Sequence, residues 1–501
     1  MHATDWLQFG FDPAHSGFNR AETGYSTAGN FLLYNYSLPT AADSAPVYLG
    51  NVATASGVKN VLFIVAKNGT LLALDADSTT LKVVWSKQPT GAGTLTTGSS
   101  VVDPGKQYVY AYGLDGYVHK YQVGNGTEIK SGGWPELSTL KPGVEKDAAG
   151  LSINATPAGT FLYAVTNGYI GDGGDYQGHL TTIDLANGTQ NVFNTLCSGL
   201  TIHFIENGST SGSGQNDCAQ VQSGIWGRPG AIYDPATNRV FITTGNSAFD
   251  PTNFYWGDTV LALNPQGTGS GGGNPVDSYT PSTYSNLNTN DADLGSNAVA
   301  LVPAPNGSSY THLGVIAGKD GCVRLIRLDN MSGHGAPGLA GGSLQSQPLD
   351  SSVTAANCND TSSSGGQDAG GGEIRAQPAV WVNPADASTW VYVTNLSATF
   401  AAYKVVVTAG VPSLVQQWTS TSGAGTSPIV ANGTVYYQTL NGNDIVALDA
   451  TTGAQIWQSA SSLSGVHWQS PIVVNGRLYV VDDGGNLWVF ALDGIFKNGF
   501  Q

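Results

Sequence analysis

Side chains able to do chemistry are sparse in this chain, so their spacing carries most of the chemical information. Its 501 residues include four cysteines, eight histidines and thirty-five carboxylates. Cys197, Cys218, Cys322 and Cys358 show no C-x-x-C spacing, which argues against a zinc knuckle or a c-type haem site. An even count fits two disulfides, with three connectivities open. The neighbouring pairs Cys197–Cys218 and Cys322–Cys358 would each close a Ser/Gly-rich stretch. Stapling such a stretch lowers the entropy of the unfolded chain and favours an oxidising, extracytoplasmic compartment, secreted or periplasmic. No Ser-His-Asp arrangement stands out, because a G-x-S-x-G elbow needs a strand-to-helix turn and no capped, helix-periodic stretch occurs. Paired carboxylates for glycoside hydrolysis stay open, since sequence does not give their separation.

The elements that must position these groups are strands, and they recur. Residues 427–457 read SPIVANGTVYYQTLNGNDIVALDATTGAQIW and residues 470–494 read SPIVVNGRLYVVDDGGNLWVFALDG, an offset of 43 residues. Each unit is a set of short apolar runs separated by Asn-Gly, Gly-Asn or Gly-Gly turn dipeptides. The same grammar recurs at 61–85, 108–129, 161–193, 239–267, 313–333 and 390–407, which makes eight copies. Four antiparallel strands per 40–45 residues is the period of a propeller blade. The sequence therefore predicts an all-β, eight-bladed β-propeller of four-stranded antiparallel blades, with seven blades as the alternative. The last copy lacks a fourth strand, and NFLLYNYSLP (30–39) is expected to supply it and close the ring. Residues 1–29 read as an entry segment. Residues 30–501 read as one propeller domain with Ser/Gly-rich insertions near 197–222, 267–290 and 333–372.

Net charge and hydropathy exclude several partners. A formal charge of −16 and no polybasic run argue against nucleic acid and anionic membranes. No stretch of eighteen apolar residues occurs, so no helical membrane span is expected. No cleavable signal peptide is visible, and MHATDW reads as the start of a mature secreted chain. Glu373 and Arg375, just ahead of an inner strand, read as an ion pair or a substrate contact facing the channel. His467, beside Trp468, takes a similar place in the last repeat and reads as a structural histidine.

LDATTGAQIW (448–457) resembles the repeat signature A-x-D-x-x-T-G-x-x-x-W of the pyrroloquinoline-quinone (PQQ)-type propellers, and LDADSTTLKVVW (74–85) is a looser copy. DWLQFGFDPAHSGFNRAE (5–22) resembles the entry segment of secreted members. In that family the signature Trp, here Trp85 and Trp457, covers the sheet and fills the gap to the next blade. Four further segments resemble the quinone site of the quinoprotein alcohol dehydrogenases. GIWGRPGAIYDPATNRVFITTGN (224–246) implies that Trp226 stacks on a quinone and Asn246 ligates calcium. GDGGDYQGHLTTIDLANG (171–188) puts Asp175 where the family has a calcium-binding Glu. NDADLGSNAVALVP (290–303) matches Asp293, with Asp291 nearby, to the catalytic base, which also faces the metal. AGKDGCVRLIRLDN (317–330) matches Lys319 to the basic residue at the quinone oxygens.

The resemblance implies a PQQ- and calcium-dependent dehydrogenase. It would oxidise a small-molecule alcohol, polyol or sugar, or a polymer, and pass electrons to a separate acceptor. The types suit that chemistry. Calcium wants carboxylate and amide oxygens, an Asp can take a hydroxyl proton, and an indole offers a stacking face. The chain departs from the family by lacking adjacent cysteines and any haem motif, and by an Asp in place of the calcium Glu. Taken singly, Trp226 reads equally as a blade-packing Trp, Lys319 as a solvated lysine, and Asp175, Asp293 and Asn246 as plain turn residues. The alternative function is a non-catalytic extracellular propeller that binds a carbohydrate, a polymer or a protein.

Overall fold

The computed structural model describes residues 4–23, 31–203, 218–332, 339–421, 425–440, 444–460, 463–465 and 470–491. Eight four-stranded antiparallel blades follow one another along the chain, the seventh extended by the entry strand Phe18–Asn19, which pairs in parallel with Ile429–Ala431. Blade 1 is Val47–Thr54, Gly57–Val65, Leu71–Asp75 and Val83–Lys87. Blade 2 starts at Val101–Val102, blade 3 at Ser152–Thr156, blade 4 at Ile232–Asp234 and blade 5 at Ala300–Pro303. Blades 6, 7 and 8 start at Ala379–Val382, Ile429–Ala431 and Ile472–Val474. The seven-blade alternative is thereby set aside. Among the described residues the one α-helix is Tyr284–Thr289.

The turn dipeptides do what their chemistry predicts. Asn432 (φ 48°) and Gly433 (φ 71°) join two strands of blade 7, and Asn475 (φ 52°) and Gly476 (φ 73°) repeat this in blade 8. Positive φ at both central residues matches the right-handed strand twist. Both cysteine pairs are disulfide-bonded as the spacing favoured, Cys197–Cys218 and Cys322–Cys358.

Ring closure uses the N-terminal strand. Phe31–Ser37 pairs antiparallel with Asn486–Ala491 as the outer strand of blade 8. The entry segment then seals the opposite edge, along the inner strands. Trp6 exchanges backbone hydrogen bonds with Tyr48 at 2.9 and 2.7 Å, and Val102 N–H donates to Leu7 at 2.8 Å. Val380 N–H donates to Ser16 at 2.8 Å and Val430 N–H to Gly17 at 2.7 Å. The Gln8 and Asn19 side chains reach Ile153 and Val473. Six inner strands thus lose a free edge to one peptide, which removes a template for aggregation.

Aromatic donors pin the seams between blades. Trp85 Nε1–H donates to Val123 O at 2.9 Å, Tyr34 O–H to Ala76 O at 2.9 Å and Tyr163 O–H to Pro265 O at 2.7 Å. Trp418 Nε1–H reaches Ala450 O at 3.3 Å. Each acceptor lies just past the third strand of the next blade. The signature glycine explains itself here. A Cβ on Gly453 would meet the Trp418 ring at 2.5 Å, and one on Gly126 the Trp85 ring at 2.7 Å. Asp449 holds the turn by accepting from the Thr451 and Thr452 N–H groups, and Trp457 packs edge-on against Phe490 at 5.4 Å. Trp85→Ala should destabilise the ring by about 3–5 kcal/mol. Trp85→Phe, which loses chiefly the hydrogen bond, should cost about 1–3 kcal/mol. Urea unfolding of both variants against wild type checks the order.

Candidate functional site

Antiparallel topology decides which loops share a face. Within a blade the connection from second to third strand lies on the same side as the link from the fourth strand to the next blade. All five candidates occupy such connections. Trp226 precedes the first strand of blade 4, Asp293 precedes that of blade 5, and Asn246, Asp175 and Lys319 follow second strands of blades 4, 3 and 5.

Four of the five meet. Asn246 N–H donates to Asp293 Oδ1 at 2.7 Å. Lys319 Nζ lies 2.5 Å from Asp293 Oδ2 and 3.1 Å from Asp291 Oδ1. Backbone holds the lysine in place, its N–H donating to Asp293 O at 3.0 Å and its carbonyl accepting from Ala369 N–H at 3.0 Å. Trp226 is half-buried beside them, with Tyr176 edge-on at 6.0 Å and 76°. Its indole lies over two glycines. A Cβ on Gly224 or Gly245 would come within 2.9 or 3.0 Å of the ring. Trp226 Nε1 is buried with no hydrogen-bond partner. Such an orphaned donor costs about 1–3 kcal/mol unless a ligand or water meets it.

The fifth candidate is turned elsewhere. Asp175 Oδ2 lies 3.1 Å from Lys141 Nζ, which also donates to the Asp175 carbonyl at 2.5 Å. Lys141 and its neighbour Glu145 belong to a buried network in which Gln177 N–H donates to Glu145 Oε2 at 3.0 Å. His179 Nδ1 is 3.5 Å from Glu145 Oε1. Glu373 and Arg375 form an ion pair, Nε to Oε2 at 2.5 Å. His467 lies outside the described residues.

A residue that the sequence reading missed completes the cluster. Asp258 accepts from Leu294 N–H at 3.0 Å through Oδ1, while its Oδ2 is buried without a partner. In the sequence it follows a glycine and reads as a turn, and its φ of 49° bears that out. Burial pushes the Asp258 carboxyl well above the usual range, and Asp293 adds to this. Burial also raises Asp293, against the pull of Lys319. Burial works against the charge on Lys319, yet Asp293 and Asp291 outweigh it and hold its pKa above the ordinary lysine value.

The calcium expectation needs correction at this point. Asp175 is committed to Lys141, and both oxygens of Asp293 are taken by Asn246 N–H and the Lys319 ammonium. Among the described residues no group of three or more His, Cys, Asp or Glu side chains is arranged to hold a metal ion. The expected donor set, Asp175 with Asn246 and Asp293, therefore does not fit calcium. Gly224 and Gly245 instead let the backbone pack directly against the Trp226 indole, because a Cβ on either would strike the ring. A separate cavity of about 710 Å³ opens on the opposite face between blades 1 and 2. Its charged lining residues, Asp5 and Lys106, pair with each other.

Comparison with known proteins agrees with this fold. The family model described as outer membrane protein assembly factor BamB matches residues 415–496, which run from the end of blade 6 through blade 8. A europium-containing methanol dehydrogenase superimposes with a TM-score of 0.65 at 14% identity, over 97% of this chain and 98% of that one. A quinohaemoprotein alcohol dehydrogenase from Comamonas testosteroni gives 0.65 at 13% identity, over 98% and 81%. BamB from Moraxella catarrhalis gives 0.50 at 11%, over 92% and 100%. No curated protein matches at the sequence level. At these identities the likeness defines the fold, that of the PQQ-type β-propellers.

Glu145 makes a pH prediction. Burial lifts its pKa to about 7 from 4.5, opposed by the Gln177 N–H and Lys141. A raised folded-state value means that its contribution is full below the unfolded pKa of 4.5 and lost as pH rises through about 7. Wild type should therefore lose stability between pH 4.5 and 7 relative to Glu145→Gln, by about 3 kcal/mol. Denaturant titrations of both proteins at pH 5 and pH 8 check it.

Proposed function

We propose that this chain is a quinoprotein-type oxidoreductase of an extracytoplasmic compartment. It binds PQQ or a similar planar quinone against Trp226 and oxidises a hydroxyl-bearing small molecule. The observation that carries the reading is the convergence of Trp226, Asn246, Asp293 and Lys319, from two blades, around one half-buried indole. The two disulfides support the compartment. Among the described residues no helix is long and apolar enough to cross a membrane.

Each residue has a task in this reading. Trp226 supplies the stacking face. Asp293 is the general base. Burial makes its carboxylate more basic than an exposed one, which suits it to accept the hydroxyl proton. Lys319 stays charged beside it and presents its ammonium to oxygens that gain negative charge. Asn246 fixes the Asp293 carboxylate through its backbone N–H. The bound quinone supplies a two-electron acceptor for the hydride of the alcohol carbon. A separate partner then takes the electrons.

One observation favours the alternative, a non-catalytic propeller binding a carbohydrate, polymer or protein. The matching family model is described as that of an assembly factor. Titration of protein with PQQ, read by tryptophan fluorescence, separates the two. The quinoprotein reading expects saturable one-to-one binding, weakened at least about tenfold in Trp226→Ala and largely kept in Trp226→Phe. Asp293→Asn should retain the quinone and lose about 10²–10⁴-fold in dye-linked turnover of alcohols or sugars. Absence of binding at micromolar quinone would leave the binding propeller as the function.

A further inference from the structure

We infer that Lys319 is the resident cation of this site: its ammonium fills the place between Asp291 and Asp293 where a dissociable metal ion would otherwise sit. Lys319 Nζ reaches Asp293 Oδ2 at 2.5 Å and Asp291 Oδ1 at 3.1 Å. Its main chain is pinned on both sides, to Asp293 O and to Ala369 N–H, so the ammonium is delivered by the fold. Asp258 lies within electrostatic reach of both Asp293 and Lys319. Its Oδ2 is fully buried and unpartnered, one oxygen more than the ammonium satisfies.

The buried cations of this cluster already have their carboxylates. Asp320, also nearby, is neutralised by buried Arg324, and Lys319 balances Asp293. Asp291 is more than half exposed and is screened by solvent. A divalent ion would have to displace a tethered ammonium from a buried carboxylate, and breaking such a pair is strongly unfavourable. Removing the ammonium reverses the situation. Asp293 and Asp291 then offer hard carboxylate oxygens with no counter-charge, the donor type that calcium takes.

The test uses EDTA-treated full-length protein, without quinone, titrated with Tb³⁺ and then Ca²⁺. Trp226 is the sensitiser, since a Cβ on Gly245 would touch its ring and Asp293 together. Wild type and Asp293→Asn should give the same weak background from the acidic surface. Lys319→Gln should gain a saturable, Ca²⁺-competed site at least about tenfold tighter than wild type, and the double variant Lys319→Gln/Asp293→Asn should lose it. A one-to-one site in wild type that disappears in Asp293→Asn overturns the inference. So does a folded Lys319→Gln with no gain. If Lys319→Gln does not fold, the comparison of wild type with Asp293→Asn decides alone. The readout is cation binding without quinone, so its failure is distinct from failure of the quinone reading.

Discussion

A blade in this molecule can bury its faces only against its two neighbours, so the whole ring depends on every seam being filled. The seams are filled by large aromatic side chains that also need a hydrogen-bond acceptor. Trp85, Trp418, Tyr34 and Tyr163 find theirs on the backbone just past the third strand of the next blade. That single requirement explains why the repeat carries a glycine where the preceding blade's indole lies flat against it, as Gly453 lies against Trp418. It also explains why the chain spends both ends of its N-terminal segment on closure. Phe31–Ser37 completes the outer edge of blade 8, and residues from Trp6 to Asn19 occupy inner edges.

Closure leaves one face free to vary. The seam donors Trp85, Trp418, Tyr34 and Tyr163 all sit on strands, so the connections on that face can bring together groups that a packed core would reject. Asp258, Asp293 and Lys319 form such a group, held by backbone N–H donors from Leu294, Asn246 and by the lysine's own main chain. Burial works against charge on all three; it prevails at Asp258 and Asp293, whereas the carboxylates outweigh it at Lys319. A cluster of this kind is rigid because the blades carry it and strained because its charges are dry. Trp226, with an unpartnered Nε1 over two glycines, is the apolar counterpart of that strain.

Much of this was legible in the residues. Period, turn dipeptides and the missing last strand led directly to eight blades and to Phe31–Ser37 as the closing strand, because local patterning is repeated eight times. Neighbouring cysteines flanking Ser/Gly-rich stretches gave the disulfides. Trp226, Asn246, Asp293 and Lys319 were visible through resemblance to a family. Three things were not legible. Asp175 turns to Lys141, a partner 34 residues away that no local pattern marks. Asp258 reads as an ordinary Gly-Asp turn, and only the packing of blade 4 on blade 5 brings it to Leu294 and within reach of Asp293. The path of Trp6 to Asn19 is set by pairing with strands far along the chain, and it leaves no periodic trace.

The proposed quinone site at Trp226 carries its positive charge in the chain itself, on Lys319. The most direct measurement is a crystal structure of the EDTA-treated protein soaked with PQQ. The account predicts planar density against the Trp226 indole, with the Lys319 ammonium still between Asp291 and Asp293. Clear density for the protein with nothing at Trp226, or a metal ion between those carboxylates with Lys319 displaced, would contradict it.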